Sequence, residues 1–265
     1  MTKLALEGIG LRSGRPARVD FHVRPGPFTL VVDGVSIGLE FLVVVDNERA
    51  TTVRAGSALL ATVEHLLAAC AALGLHEGVA VEVAGGEVPF LDGGSRAFAE
   101  ALHRLPLSAS APPSKVVRAE TILHGKSRYE FRPSRDGERS ASVTLDYDDP
   151  RLAPAASWSG DPDDFLERIA PARTFSFSHE VEDLVRRGQV SHVDPASVVV
   201  FARDAVLASG APVAADEPAR HKLLDLMGDL FLYGGPPLGH VHAYRPGHAA
   251  THAILRAARA RGVVA

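Results

Sequence analysis

The sequence predicts an α+β protein made of two related halves. Three observations predict it. In each half, strand-like runs come first and helical runs follow, which is the order of α+β units and not of strict βαβ alternation. Between the halves lies "PLSASAPPSK", residues 106–115, the one stretch with the Pro, Ser and Ala composition of a linker. Finally, "EHLLAACAALGL" in the first half parallels "RHKLLDLMGDLFL" in the second: a charged residue, a histidine, then a leucine-rich helix. The domains are accordingly set at 1–105 and 116–265.

The elements follow in order. "ARVDFHVRPGPFTLVVDG" alternates and breaks at Arg24, Pro25, Gly26 and Pro27, a strand–turn–strand signal, and "IGLEFLVVVD" continues as a strand. "SALLATVEHLLAACAALGL" reads as the first helix, ending near Gly74, and Cys70 within it fills core volume. "GVAVEVAGGEVPFLDGG" returns to strand, and "SRAFAEALHRL" is a second helix. In the second half "KVVRAETILH", "RYEFRPS" and "ASVTLDYDD" read as strands. "SHEVEDLVRRGQ" is a short helix with Ser178 as N-cap, acids in its first turn, arginines in its last and Gly188 as its stop. "ASVVVFARDAVL" is a buried strand, "ARHKLLDLMGDL" a helix, "GHVHAYRPGH" a strand and "ATHAILRAARARG" a terminal helix.

Composition narrows the function. A formal net charge of -4, with 28 basic and 32 acidic residues interspersed, supplies no basic field for nucleic acid. A single cysteine cannot form an internal disulfide. The N-terminus lacks the apolar core of a signal peptide, and no uncharged apolar run is long enough to span a membrane, so the expected compartment is the cytoplasm. Neither a P-loop nor a GxGxxG dinucleotide motif is present. The twelve histidines are the one compositional oddity, and position must decide which of them matter.

The helix "ARHKLLDLMGDL" carries chemistry on one side. At about 100° per residue, His221, Asp225, Asp229 and Lys222 share a sector roughly 100° wide, and Leu223, Leu226, Met227 and Leu230 occupy the opposite side. The four polar groups read in two ways: as a solvated face, or as a His–Asp pair at i,i+4 that closes on one metal ion. "TVEHLLAA" sets Glu64 and His65 among Leu59, Leu60, Val63, Leu66 and Leu67, where burying a charged pair is costly unless it is used. Together His65, His221 and Asp225 form an N/N/O set suited to a catalytic Zn²⁺ with an open position, and Fe²⁺ suits it too. Glu64 stands where a general base belongs. His248, on the turn of "YRPGHAATH", becomes a general acid if Asp229 holds its imidazole; His252 is its rival at i+4.

With these motifs in order, the sequence resembles the zinc-dependent UDP-3-O-acyl-N-acetylglucosamine deacetylases of lipid A biosynthesis over nearly its whole length. "GIGLRSG", "TVEHLLAA", "EVPFLDGG", "ARTFSF", "DEPARHKLLDLMGDL" and "YRPGHA" carry the resemblance. It implies two domains, each a small, mostly antiparallel sheet packed on helices, forming a sandwich with the active site between them. It further implies His65, His221 and Asp225 as zinc ligands, Glu64 as base and His248 with Asp229 as acid. Lys222 and Thr174 would stabilise the oxyanion. Asp146, Tyr147, Phe177 and Arg245 would bind the uridine diphosphate, although the two rings fit core packing equally well. An inserted unit at about 172–201 would line an acyl passage, with Val181, Leu184 and Val185 as its apolar ridge or as plain core.

Three features depart from the family pattern: Arg12 replaces a histidine in the glycine motif, "QVSHVDPAS" replaces a glycine-rich stretch, and the loop before "ATVEH" is short. The expected substrate is a UDP-linked acylated amino sugar whose N-acetyl group is hydrolysed, with no protein partner implied. A paralogous deacetylase acting on another N-acylated sugar, and a non-catalytic UDP-glycolipid-binding protein, are the alternatives.

Overall fold

A computed structural model describes residues 3–186 and 190–265 and gives the two halves one shared connectivity. The first half runs β1 (Lys3–Ile9), β2 (Pro16–Pro27), β3 (Thr29–Val32), β4 (Val35–Gly38), β5 (Val43–Asp46), β6 (Thr52–Ala55), β7 (Ala58–Leu60), α1 (Glu64–Ala72), β8 (Glu77–Ala84) and α2 (Arg96–His103). The second begins with β9 (Glu120–His124), β10 (Ser127–Arg132), β11 (Arg139–Thr144), β12 (Ala155–Trp158) and α3 (Pro162–Asp164), which continues as a π turn over Phe165–Ile169. It then runs β13 (Thr174–Phe177), α4 (Ser178–Arg186), β14 (Val198–Phe201), β15 (Val206–Leu207), α5 (Glu217–Phe231), β16 (Gly239–Tyr244) and α6 (His248–Ala260).

Among the described residues, each half has a five-stranded sheet, ordered β1-β2-β8-β3-β4 in the first and β9-β10-β16-β11-β12 in the second. In both, the last strand inserts between the second and third, antiparallel to one and parallel to the other. A helix precedes that central strand (α1, α5) and another follows it (α2, α6). The parallel between the two leucine-rich helices in the sequence thus corresponds to equivalent positions in the fold. Two small three-stranded sheets are added, β5-β6-β7 in the first half and β13-β14-β15 in the second.

The layers follow from where apolar side chains fall. On β8, Val79, Val81 and Val83 are buried, and on β16 Val241 and Ala243 are buried while His240, His242 and Tyr244 alternate outward. Every residue of α1 is buried, and so is nearly all of α5. Helices covered on every side belong to an interior. They pack against each other between the sheets, and one apolar cluster runs through both halves. Cys70 lies in it, fully buried, its thiol pushed up by desolvation.

Several local expectations change. The Pro-Gly-Pro run is not a turn but the end of β2, which continues to Pro27 through a register shift after Val23. "IGLEFLVVVD" is broken by a 3₁₀ turn at Leu39–Phe41. The expected first helix is strand β7 at its start and becomes helical only at Glu64, because Leu59 and Leu60 alternate out and in against β6. "ASVVVFARDAVL" is a hairpin, β14 then β15, and Val206 and Leu207 are exposed. Ser178 is the first residue of α4, and Phe177 N–H is held instead by the Glu180 carboxylate. Gly188, the expected stop, lies outside the described residues. Val181 and Leu184 are half-buried and Val185 is exposed, so this ridge is not core. Residues 106–115 contain no regular element, and Lys115 bridges to Leu238 in the second half. No helix among the described residues is long and apolar enough to cross a membrane.

Candidate active site

The first turn of α1 meets the middle of α5, and the contact depends on one missing side chain. A Cβ on Gly228 would lie 2.0 Å from the Glu64 carbonyl oxygen, so only glycine lets the helices approach this closely. That approach sets His65 beside His221, their rings 5.1 Å apart and nearly perpendicular. Thr62, two residues before Glu64, has a φ of 57°, and Arg245, three before His248, has a φ of 53°. Such left-handed non-glycine backbone is strained, and it stands at the entries to two of the three helices that deliver candidate groups, α1 and α6.

His65 Nε2 and His221 Nε2 each lie 3.6 Å from Asp225 Oδ1. The three ligand atoms are within 4.8 Å of one another and all three residues are buried. Ligands about 2.1 Å from one ion at tetrahedral angles stand about 3.4 Å apart, so the spacing fits a metal. His221 Nδ1 donates to the Ala172 carbonyl at 3.1 Å, which leaves its Nε2 lone pair facing the site. Burial pushes this imidazole down to about 3, against the Asp225 charge, which keeps it neutral and able to ligate. The solvated-face alternative fails here: His221, Asp225 and Asp229 are 3%, 6% and 1% exposed.

The remaining groups surround this set. Asp225 Oδ2 accepts from Lys222 Nζ at 2.8 Å. Burial opposes charge on both, and the pair overrides it: Lys222 is pushed up to about 12 and Asp225 is held well below the carboxylate range. Glu64 Oε2 accepts from the Thr51 N–H at 3.0 Å, and Oε1 lies 3.9 Å from His248 Nε2. Desolvation raises the Glu64 carboxyl despite His248 and His65 nearby. His248 Nδ1 donates to Asp229 Oδ2 at 2.8 Å, and its Nε2 is 3.7 Å from Asp225 Oδ2. Burial opposes its charge, but Asp229 and Asp225 push it up to about 10. His252 lies behind this pair, 3.3 Å from the other oxygen of Asp229, so of the two rivals His248 faces Glu64.

The other expected residues lie further out. Thr174 Oγ1 donates to the Gly93 carbonyl at 2.8 Å, so its hydroxyl must turn before it can serve an oxyanion. Phe177 and Tyr147 pack with ring centroids 5.3 Å apart beside a cleft of about 390 Å³ that His179, Phe201 and Arg203 also line. Phe175 links this cleft to the metal set, 5.9 Å from Tyr147 and 6.2 Å from His221. Arg245 and Asp146 are paired with each other at 2.7 Å on the surface. Arg12 pairs with Asp46, and the backbone amides of Arg12 and Ser13 are held by the buried carboxylate of Glu87.

Sequence reasoning missed Thr51, Phe175 and the structural pair Arg173–Glu217. Thr51 supplies an amide to Glu64 and a hydroxyl to Asp229 from a loop, with no periodic pattern to mark it. Arg173 clamps the start of α5 through Glu217 at 2.8 Å, both side chains under a tenth exposed, and its place inside the "ARTFSF" motif was the available signal.

Comparison with known proteins adds an independent finding. A sequence model of the UDP-3-O-acyl N-acetylglycosamine deacetylase family matches residues 1–259. The UDP-3-O-acyl-N-acetylglucosamine deacetylase of Myxococcus xanthus is 33% identical, covering 97% of this chain and 84% of its own length. Those of Thermosynechococcus vestitus and Syntrophotalea carbinolica are 34% and 32% identical, covering 91% and 95% of this chain and 86% and 84% of their own.

Proposed function

The chain belongs to the UDP-3-O-acyl N-acetylglycosamine deacetylase family, and from that premise we propose that it hydrolyses the N-acetyl group of UDP-3-O-acyl-N-acetylglucosamine in lipid A biosynthesis. One observation carries the reading at the level of chemistry: a buried N/N/O set with a carboxylate and an imidazole facing it. Water adds to the acetamide carbonyl, the C–N bond breaks, and the products are acetate and a free amine.

His65, His221 and Asp225 would hold the metal, which when bound would supply Lewis-acid chemistry to the carbonyl and the water; zinc fits this donor set best and Fe²⁺ next. Glu64 Oε1 takes the proton of the water, its Oε2 anchored on the Thr51 amide. Lys222, and Thr174 once its hydroxyl turns from Gly93, donate to the oxyanion. His248 Nε2 delivers a proton to the departing nitrogen, with Nδ1 oriented by Asp229. Tyr147 and Phe177 hold the uracil, and Arg245 meets the diphosphate by exchanging its Asp146 partner. Val181, Leu184 and Val185, apolar but not core, contact the acyl chain. A UDP-linked substrate sets the reaction in the cytoplasm.

The test is acetate release by metal-loaded protein from acylated and non-acylated UDP-N-acetylglucosamine, with metal content measured in parallel. Turnover that requires the acyl chain, and is lost with the metal in His65→Ala, supports the reading. Equal turnover of both substrates favours another N-acylated sugar, and binding without turnover makes the chain a UDP-glycolipid binder. Failure to bind any divalent metal sinks the mechanism.

A further inference from the structure

Behind His248 lies a buried chain of hydrogen bonds of which the mechanism above uses only the Asp229 end. Thr51 and His252 are fully buried, and Asp229 is 1% exposed. Thr51 Oγ1 is 2.6 Å from Asp229 Oδ1 and 3.0 Å from His252 Nε2. His252 Nε2 is itself 3.3 Å from the same Asp229 oxygen. On the far side of the ring, His252 Nδ1 lies 3.2 Å from the Tyr233 hydroxyl, and the ring centroids are 5.7 Å apart.

The directions of these bonds can be assigned. An ionised carboxylate only accepts, and a threonine hydroxyl has one proton to give. The 2.6 Å contact therefore spends the Thr51 proton on Asp229, and Thr51 Oγ1 must accept from His252 Nε2–H. With its proton on Nε2, His252 accepts at Nδ1 from the Tyr233 hydroxyl. Every donor in the chain then points toward Asp229: Tyr233 to His252, His252 to Thr51, Thr51 to Asp229 Oδ1. His248 Nδ1 takes the other oxygen, Oδ2, at 2.8 Å.

We propose that His252 is a positioning residue for the reaction: through Thr51 it fixes the carboxylate plane of Asp229, which holds the His248 imidazole with Nε2 toward Glu64 and Asp225. The proposal rests on the deacetylase reading. An ordinary core histidine needs only a partner for each nitrogen; here both nitrogens serve one end point, and that end point orients the group set to protonate the leaving amine. Tyr233, whose hydroxyl can donate or accept, donates to the Nδ1 that the Thr51–Asp229 contact leaves without a proton, so it belongs to the same device. Residues of this supporting kind are worth about 10- to 100-fold in activity.

The test compares His252→Leu, His252→Gln and Tyr233→Phe in the metal-loaded enzyme. Leucine removes the donor and keeps the bulk, and the glutamine amide nitrogen can replace Nε2. The expected result is a loss of about 10-fold or more in kcat for His252→Leu, at unchanged KM and metal content, most of it recovered in His252→Gln. Tyr233→Phe, which tests the chain even if His252→Leu does not fold, is expected to lose several-fold. Long-range ¹⁵N correlation spectra of the unsubstituted enzyme are expected to show the Nε2–H tautomer at His252. Wild-type kcat in His252→Leu, an equal deficit in His252→Gln, or an Nδ1–H tautomer overturns the proposal. If the metal-loaded enzyme releases no acetate, the deacetylase reading fails instead, and the spectra, which need no turnover, still decide the donor chain.

Discussion

Asp225 serves four neighbours at once. One oxygen stands opposite two imidazoles and the other serves Lys222, with His248 Nε2 close by. Asp229, one turn on, orients His248 and raises it. The roles proposed for Glu64 and His248 demand opposite states, an ionised base and a protonated acid, so activity is expected to be bell-shaped in pH. Because Glu64 is raised, the acid limb lies above the ordinary carboxylate range; because His248 is raised, the alkaline limb lies above that of an ordinary histidine. Asp229→Asn removes the charge that most favours the imidazolium, so the alkaline limb is expected to move to lower pH by about one unit or more. Profiles of kcat/KM for both proteins check this, and an unmoved limb would assign that limb to another group. At this scale the sequence was readable wherever spacing on one helix placed groups on one face, as for His221, Asp225 and Asp229. Thr51 was not, because it reaches the site from a loop far off in the chain, and Tyr233 was not, because from just past the end of α5 it meets His252 on another helix, a contact that no pattern within one helix encodes.

Elements that carry the chemistry are held by close approaches and buried pairs, not by helix propensity. Gly228 sits where α5 crosses the start of α1. Gly228→Ala forces a methyl group against the backbone of Glu64, and overpacking of this kind costs about 1–3 kcal/mol or more. The expected outcome is a lower Tm together with weaker metal binding, since the same shift separates His65 from His221; a folded variant with undiminished metal affinity would show that α1 has slack. Helices were legible in the sequence from their leucine spacing, and α1 stops just before Gly74 as expected, but its start was not legible. The run from Ser57 to Leu75 is mostly apolar on every side, so neither a period of two nor one of 3.6 stood out, and only pairing with β6 makes its first part strand β7. The pairing of β3 with β8, and of β11 with β16, was likewise invisible, because register between distant strands is a property of the assembled sheet.

The whole molecule holds its site across the junction of its halves. Glu64 and His65 come from the first half, and His221, Asp225, Asp229 and His248 from the second. Arg139 of the second half also donates to the Ala71 and Ala72 carbonyls at the end of α1, tying the halves together at the other end of that helix. A metal held by ligands from both halves favours their joined state, and a ligand at about 100 times its Kd contributes about 2.7 kcal/mol. Chelation is therefore expected to lower Tm by several degrees while unfolding remains one transition. An unchanged Tm on metal removal would mean that the site adds nothing to the joining of the halves. The two-half plan itself was visible in the order of strands and helices and in the paired leucine-rich helices.

The shared connectivity has one further consequence. Helices α1 and α5 are equivalent in the two sheets, and they touch each other, which is the relation two identical subunits have across a two-fold axis. The site lies where those two helices meet. In a true homodimer any side chain next to the axis appears twice, so a carboxylate base would face its own copy and an acid would have a twin. Joining both copies in one chain removes that constraint. Each side of the axis can then carry a different residue, and a reaction that needs an unlike pair of groups gains a place for each.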